Sequence, residues 1–422
     1  MTGRVILALL AALLGVVAGL GALFGAATIT EWPPLFLLAG ILAFCVAYSF
    51  GLLLATRGVL PLRRRRVRVA LFCTGTVLII GVFTWTALLP MEDPRLPPAP
   101  VEGQRFWELS TGSRIAYVRV PAESRAQEAP IIFLHGGPGV PDMEGDARYF
   151  GRLARDGFDV YVYDQVGRGR SHRLDPRGYT LGRDVSDLEE IRAKIDAERV
   201  ILIGHSYGGA LAAAYAASHP KRVAKIVLSS PDDPSPAAGG ASMLFRLTTR
   251  EKLGVYSLLL PPRPMLAYTL LQVNSEAAHA FAGDAEMDAR FDRVYNRTRP
   301  ALHCRGEPPG PRLHGLGFYA HYYPQSATSL PHAEFLSALT RHDIPTLVIK
   351  GRCDYLSWSS AQKYLQVLPD TRLLYLDGSG HNAYQDEPER YMAGMRAFLL
   401  GRPLPQSPYE GHRMPDGYEG PS

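Results

Sequence analysis

The stretch Val200-Ile201-Leu202-Ile203-Gly204-His205-Ser206-Tyr207-Gly208-Gly209 runs from four apolar residues into a glycine-flanked serine, and the alanine-rich Ala210–His219 follows at once. An apolar run of strand length meeting a helix-forming run without a spacer reads as a buried strand that turns directly into a helix. The pattern G-x-S-x-G alone arises roughly 0.3 times by chance in a chain this rich in glycine, so the context carries the weight. A turn this sharp forces its central residue into a strained backbone conformation, and flanking glycines remove side chains that would collide there. Ser206 is thereby expected above the sheet at a helix N-terminus. The plainer alternative is a glycine-rich turn with a capping serine.

A serine hydroxyl is a weak nucleophile at neutral pH until a base takes its proton, and that base needs a carboxylate to orient it. Asp354 stands just past the apolar run Thr346–Ile349, and His381 follows Leu373–Leu376 in the turn Gly378-Ser379-Gly380-His381-Asn382. Their separation leaves room for one helix and one strand. Two other acids compete. Asp370 precedes its strand and belongs to the wrong end of a sheet, while Asp377 sits close enough to His381 to be a turn former. Acyl transfer also requires donors for a developing oxyanion. His135-Gly136-Gly137-Pro138-Gly139 follows the strand Ile131–Leu134. The backbone N–H groups of Gly137 and Tyr207 are the expected donors, with Gly136 next. His135 and His205 read as structural neighbours of these loops.

Farther out, strand and helix signals alternate. Ile115–Val120, Ile131–Leu134, Val160–Tyr163, Val200–Ile203, Ile226–Leu228, Thr346–Ile349 and Leu373–Leu376 are short apolar runs. Helical stretches at Ala147–Asp156, Leu181–Ala197, Ala210–His219, Ser359–Leu368 and Glu387–Leu400 lie between or after them. This rhythm predicts an α/β fold, a mostly parallel sheet covered by helices on both faces. It breaks over 233–340, which is helix-rich and aromatic and reads as a helical cap inserted into a core of 106–232 and 341–400. Residues 93–105 read as a Pro-rich linker, and 401–422, rich in Pro and Gly, as a disordered tail.

The chain has 422 residues, 47% hydrophobic and 20% charged, a globular composition that excludes wholesale disorder and collagen-like repeats. Its net charge of +5 is unevenly placed. Residues 1–92 hold seven of the 45 basic and two of the 40 acidic residues, so the remainder is balanced and carries no electrostatic footprint for nucleic acid. Three uncharged apolar runs explain the imbalance: Val5–Thr28, Leu35–Ala55 and Val69–Leu89, of 24, 21 and 21 residues. Each suffices to cross a hydrocarbon core of roughly 30 Å as a helix, so a lipid bilayer is the expected partner. Trp32 and Trp85 fit an interfacial belt. Six arginines over Arg57–Arg68 place that loop inside, which puts everything after Leu89 on the extracytoplasmic side of a cell membrane. Cys304 and Cys353 then lie where a disulfide is permitted, though sequence does not say whether they meet. No CxxC motif or Cys/His cluster points to a metal, and no cofactor is expected.

Taken together, HGGPG (135–139), DQVGRGRS (164–171), GHSYGG (204–209), GRCD (351–354) and Gly380-His381 resemble the α/β-hydrolase fold, and within it the prolyl iminopeptidase group of serine peptidases. The resemblance implies a Ser206–His381–Asp354 triad, an acyl-enzyme, and removal of N-terminal residues from short peptides. In that group acidic cap residues hold the substrate amine, one of them just before a His-Tyr-Phe-like stretch. Here His321-Tyr322-Tyr323 is similar, but Tyr319 and Ala320 precede it; Tyr319 and Tyr322 are the expected substrate-binding residues of an apolar pocket. The same triad on an acyl ester or lipid-derived substrate is the alternative expectation, and a non-catalytic binding protein on this scaffold is a third.

Overall fold

The computed structural model describes residues 2–56, 65–90, 98–124, 127–137, 139–233, 242–304, 310–322, 332–410 and 413–422. Most of the arginine-rich loop and residues 93–97 of the Pro-rich linker, together with Pro138 and Tyr323, lie outside the described residues. The helices in chain order are α1 (Thr2–Ala27), α2 (Pro33–Thr56), α3 (Arg65–Phe83), α4 (Met143–Phe150), α5 (Leu181–Lys194), α6 (Tyr207–Ser218), α7 (Thr249–Leu259) and α8 (Pro262–Val273). They continue as α9 (Ser275–Phe281), α10 (Asp284–Thr298), α11 (Phe318–Tyr322), α12 (His332–Thr340), α13 (Trp358–Val367), α14 (Ala383–Asp386) and α15 (Pro388–Leu399). The strands are β1 (Arg105–Glu108), β2 (Arg114–Val120), β3 (Ile131–Leu134), β4 (Val160–Tyr163), β5 (Val200–His205), β6 (Val223–Ser229), β7 (Thr346–Cys353) and β8 (Thr371–Gly380). The chain divides into two compact units, Met1–Pro94 with Leu259–Met287, and Arg95–Leu258 with Asp288–Ser422.

In the first unit α1 and α2 pack as a hairpin through small residues. A Cβ on Gly19 would lie 3.0 Å from the Gly40 carbonyl oxygen, one on Gly40 3.0 Å from that of Gly19, and one on Gly51 2.8 Å from Ala11 Cβ. Such residues let two backbones approach closely. The outward side chains are large and apolar: Leu9, Leu13, Val17, Leu42 and Val46 are all exposed. Core helices of a water-soluble protein bury such residues. By length and composition Leu9–Ala27 and Pro33–Leu54 suffice to cross a membrane, whereas the apolar part of α3 with its wider final turn, Phe72–Leu88, is shorter. Three spans of 24, 21 and 21 residues were the expectation; two helices meet that length and composition, and the third helix opens on Arg65 and Arg66.

The second unit is built on an eight-stranded sheet in the order β1-β2-β4-β3-β5-β6-β7-β8. β1 and β2 join antiparallel, as do β2 and β4, and all other neighbours are parallel. All seven expected strands form; β1, with its exposed Arg105 and Glu108, is additional. The parallel strands are buried along nearly their whole length, as continuous apolar runs require. Phe133, Phe150, Val162, Ile203, Val227, Ile349, Leu376 and Phe398 belong to one apolar cluster. The connections bring six loops to the carboxyl edge of the sheet, those beginning at His135, Asp164, Ser206, Ser230, Asp354 and His381. This is the edge at which open parallel sheets bind their ligands.

The C-terminal segment corrects the expectation of a disordered tail. Tyr409 donates its N–H to Leu373 O at 2.8 Å, and Glu419 N–H reaches Arg352 O at 2.9 Å. The Tyr409 and Tyr418 rings pack edge-on against Trp358. Averaged composition hid these anchors: two tyrosines supply the apolar burial that the Pro- and Gly-rich residues around them lack.

Candidate active site

Strand β5 runs into Ser206, and α6 begins at the next residue. Ser206 has φ 52° and ψ −118°, one of three non-glycine residues with positive φ among the described residues. Holding a serine there costs of order 1–3 kcal/mol and requires surroundings that over-determine it. They do. A Cβ on Gly204 would fall 2.3 Å from Gly208 O, and one on Gly208 2.0 Å from Leu134 O, so only glycine closes this turn. Ser206 N–H donates to Ser229 O, while Gly209 and Asp232 donate their N–H groups to Ser206 O. The capping alternative is not what the side chain does, since it makes no cap hydrogen bond to α6.

Asp354 and His381 are buried and joined, Nδ1 to Oδ1 at 2.8 Å. A carboxylate can only accept, so Nδ1 carries the proton and Nε2 is left with its lone pair. Asp354 Oδ1 also accepts from Leu356 N–H at 3.1 Å, and Lys350 Nζ lies 2.7 Å from Oδ2 with neither side chain exposed. Burial by itself would raise the Asp354 carboxyl, but the Lys350 ammonium and His381 outweigh it and hold it below the usual carboxylate range. Burial lowers the Lys350 ammonium in turn, against the pull of Asp354. The rival acids are elsewhere: Asp370 O accepts from Thr346 N–H at the start of β7, and Asp377 is an exposed partner of Arg390.

Tyr355 links the two halves of the site. Its ring centroid lies 4.6 Å from that of His381. Burial pushes its phenol well above the ordinary range, and a side-chain interaction with Ser206 acts in the opposite sense. No hydrogen bond joins Ser206 Oγ directly to His381 among the described residues. Such contacts are often loose before substrate arrives and tighten in the reacting complex.

The glycine loop after β3 closes over the serine. A Cβ on Gly136 would lie 2.7 Å from His205 Nδ1 and 3.2 Å from Ser206 Cβ, and Gly137 has φ 128°. Tyr207, at the first position of α6, donates its hydroxyl to Asp184 Oδ2 at 2.7 Å, and Asp184 is also paired with the buried Arg168. His135 accepts Gln165 N–H on Nε2, and its Nδ1 is 2.9 Å from Gly136 O. His205 Nε2 lies 3.1 Å from His381 O. Burial, the largest cause for each, pushes both imidazoles down to about 3. They are neutral braces at neutral pH.

A cavity of about 260 Å³ has a lining that includes Asp142, Tyr149, Tyr295, Arg299, Tyr384 and Asn382, the residue after His381. Burial raises the Asp142 carboxyl, and raises that of the neighbouring Asp146 well above the usual range. The aromatic residues singled out in the cap are placed differently. Tyr319 is buried and Tyr322 half-buried in a cluster with Phe318, and Phe291 and His321 pack on Tyr322. Neither lines this cavity. Sequence reasoning missed Tyr355 and Lys350, which pack against His381 and Asp354. Lys350, a charge at the end of the apolar run Thr346–Ile349 that leads to Asp354, was the one legible signal. Cys304 and Cys353 meet as a disulfide. It ties the strand before Asp354 to a segment that also holds the His381 loop, through Asn382 N–H to Leu302 O and the pairing of His303 with Asp386. Among the described residues no cluster of metal-binding side chains occurs.

The sheet order, the strained serine turn and the carboxyl-edge constellation define a class, and a family model described as alpha/beta hydrolase fold matches residues 129–388. The chain belongs to the α/β-hydrolase family. It is similar to a proline iminopeptidase of Heyndrickxia coagulans, 26% identical over 296 residues, covering 68% of this chain and 96% of that one. Among solved structures it resembles a proline iminopeptidase of Mycobacterium smegmatis at 20% identity and TM-score 0.47, over 71% of this chain and 98% of that one. It also resembles an esterase from Rhodococcus at 19% identity and TM-score 0.48, over 71% and 100%.

Proposed function

We propose that this chain is a membrane-anchored serine hydrolase of prolyl iminopeptidase type, with its catalytic unit on the extracytoplasmic side. His381 Nε2 takes the proton of Ser206 as the hydroxyl attacks a carbonyl carbon, and Asp354 stabilises the imidazolium that forms. Backbone N–H groups of Gly137, Gly136 and Tyr207 receive the oxyanion. His381 returns the proton to the leaving group, and water releases the acyl-enzyme along the same path. The observation that carries this reading is the buried Asp354–His381 hydrogen bond beside a serine held at positive φ.

The peptidase assignment rests on the motif resemblance and on the proline iminopeptidase similarity over most of the relative's length. A substrate amine needs a carboxylate once it leaves water. Glu251 caps its own helix through Thr248, and Glu286 is committed to Arg263. Asp142, which lines the cavity and accepts Gly145 N–H on Oδ1 at the start of α4, is the carboxylate we assign to the amine. Anchoring is supported by the exposed apolar faces of α1 and α2 and by the arginine distribution; the disulfide fits an oxidising compartment. Fluorophosphonate labelling, with proline-β-naphthylamide set beside p-nitrophenyl esters of rising chain length, tests the whole reading. Labelling and amidase activity that both vanish in Ser206→Ala are expected. Good ester turnover without amidase activity would replace the peptidase by an esterase, and equal labelling of wild type and variant would remove the triad.

A further inference from the structure

The first unit contains a segment from the middle of the chain, and its chemistry is that of a membrane surface. Helix α8 is Pro-Arg-Pro-Met-Leu-Ala-Tyr-Thr-Leu-Leu-Gln-Val, and its one charged residue, Arg263, is buried. Arg263 pairs with Glu286 at 2.6 Å, lies over the Phe281 ring, and donates from Nη1 to Leu88 O at 2.9 Å and Ala87 O at 3.3 Å. Just past the other end of α8, Asn274 Nδ2 donates to Ala27 O at 2.9 Å. Those carbonyls terminate the apolar helices α3 and α1, where the last turn has no intrahelical partner for its oxygens. Eleven residues separate the two donors, about 16 Å of helix. The helix therefore runs across the ends of the apolar helices rather than along them.

Leu266, Ala267, Leu270 and Leu271 of α8 are buried. The opposite face holds Leu260, just before the helix, then Met265, Tyr268, Thr269, Gln272 and Val273, all exposed and none charged. A surface helix facing water carries charge on that side; this one carries leucine, methionine and tyrosine. Exposed tryptophans mark the same level: Trp85 lies in the turn that supplies Ala87 and Leu88, and Trp32 follows Ala27 by five residues. Tryptophan and tyrosine collect where headgroups meet acyl chains.

Resting on the reading of α1–α3 as membrane helices, we propose that α8 is an interfacial helix whose Leu260–Met265–Tyr268 face is immersed in the headgroup–acyl boundary of the bilayer. The occupant of this face is lipid. The segment departs from the second unit after Leu258 and returns at Asp288, so the insertion between β6 and β7 is itself part of the anchor and not only a cover for a hydrolase.

Fluorescence depth measurement on the full chain in phosphatidylcholine–phosphatidylglycerol liposomes tests this. Cys45 and Cys73 are replaced by Ala, the disulfide is kept, and a single NBD probe is placed through Met265→Cys, Tyr268→Cys, Val46→Cys or Met414→Cys. Each labelled protein is first required to react with a fluorophosphonate as the parent does. Probes at 265 and 268 are expected to be quenched more strongly by lipid nitroxide at acyl carbon 5 than at carbon 12, with iodide quenching about threefold or more below that at 414. The probe at 46 is expected to favour carbon 12. Iodide quenching at 265 and 268 equal to that at 414, with 46 still deep in lipid, would overturn this inference alone. Protection at 265 and 268 from both iodide and lipid nitroxide would also overturn it, in favour of a protein partner. Iodide access at 46 would remove the membrane reading, and the inference with it.

Discussion

The two units place buried polar groups to opposite ends. In the first unit, Arg263 and Asn274 bond the free carbonyls at helix ends, the buried Arg263 is neutralised by Glu286, and α1 meets α2 through glycine against backbone. In the second, Lys350, Asp354, His381 and His205 form a chain of buried charge and hydrogen bonds that no packing argument requires. An apolar core of the same volume would be as stable or more so, because taking charges from water is expensive even when they are paired. Where burial of charge exceeds what helix ends and folding need, chemistry is the economical explanation. That contrast can be tested from both sides.

The largest effect is expected at the nucleophile. Ser206→Ala should lower kcat/KM by about 10⁴-fold or more with little change in thermal stability, because the hydroxyl interacts with Tyr355 alone among the described side chains. Retained turnover would break the comparison. Next comes the acid. Asp354→Asn should lower kcat by about 10⁴-fold through loss of the imidazole's orientation. It should also destabilise by about 3–5 kcal/mol by leaving Lys350 buried without its partner. Adding Lys350→Met should restore stability in a denaturant titration and leave activity lost. Recovery of both together would mean that the pair is structural only.

Breaking the covalent tie is expected to do less. Cys304→Ser with Cys353→Ser should cost about 2–4 kcal/mol in a denaturant titration, since the bridge closes a loop of 49 residues. It should also lower kcat more than it changes KM, as the His381 loop loses a support.

Acid sensitivity separates the units further. The Asp354 carboxyl is held low in the folded chain, so its contribution is present above the unfolded value near pH 4 and is lost as pH falls through the folded value. His135 and His205 are neutral when folded down to about pH 3, whereas the unfolded chain protonates them below about pH 6.5. Their contribution is thus complete above pH 6.5 and erodes between there and pH 3. His205→Asn should flatten that part of a stability–pH curve. The smallest effect belongs to the first unit: Gly40→Leu should loosen α1 against α2 by about 1–3 kcal/mol, read as lower thermal stability in liposomes, with kcat on a soluble substrate unchanged.

The strand positions, the strained serine and the pairing of Asp354 with His381 could be read along the chain because each depends on local pattern. Apolar runs of fixed length make strands, glycine flanks make the turn, and topology orders acid before histidine. Tyr355 was not legible, since its role comes from folding over two residues far away in sequence. Tyr319 and Tyr322 show the converse limit: aromatic residues at helical spacing signal burial and do not say against what.

Sequence by itself determined the α/β core, the serine turn and the apolar N-terminal helices, because backbone propensity and hydrophobic period act over neighbouring residues. Tertiary structure alone decided that Tyr355 completes the site, that Cys304 meets Cys353, and that Leu259–Met287 belongs with the N-terminal helices. Those are contacts between segments far apart along the chain, and only the closed sheet and packed helices bring their side chains within a few ångströms.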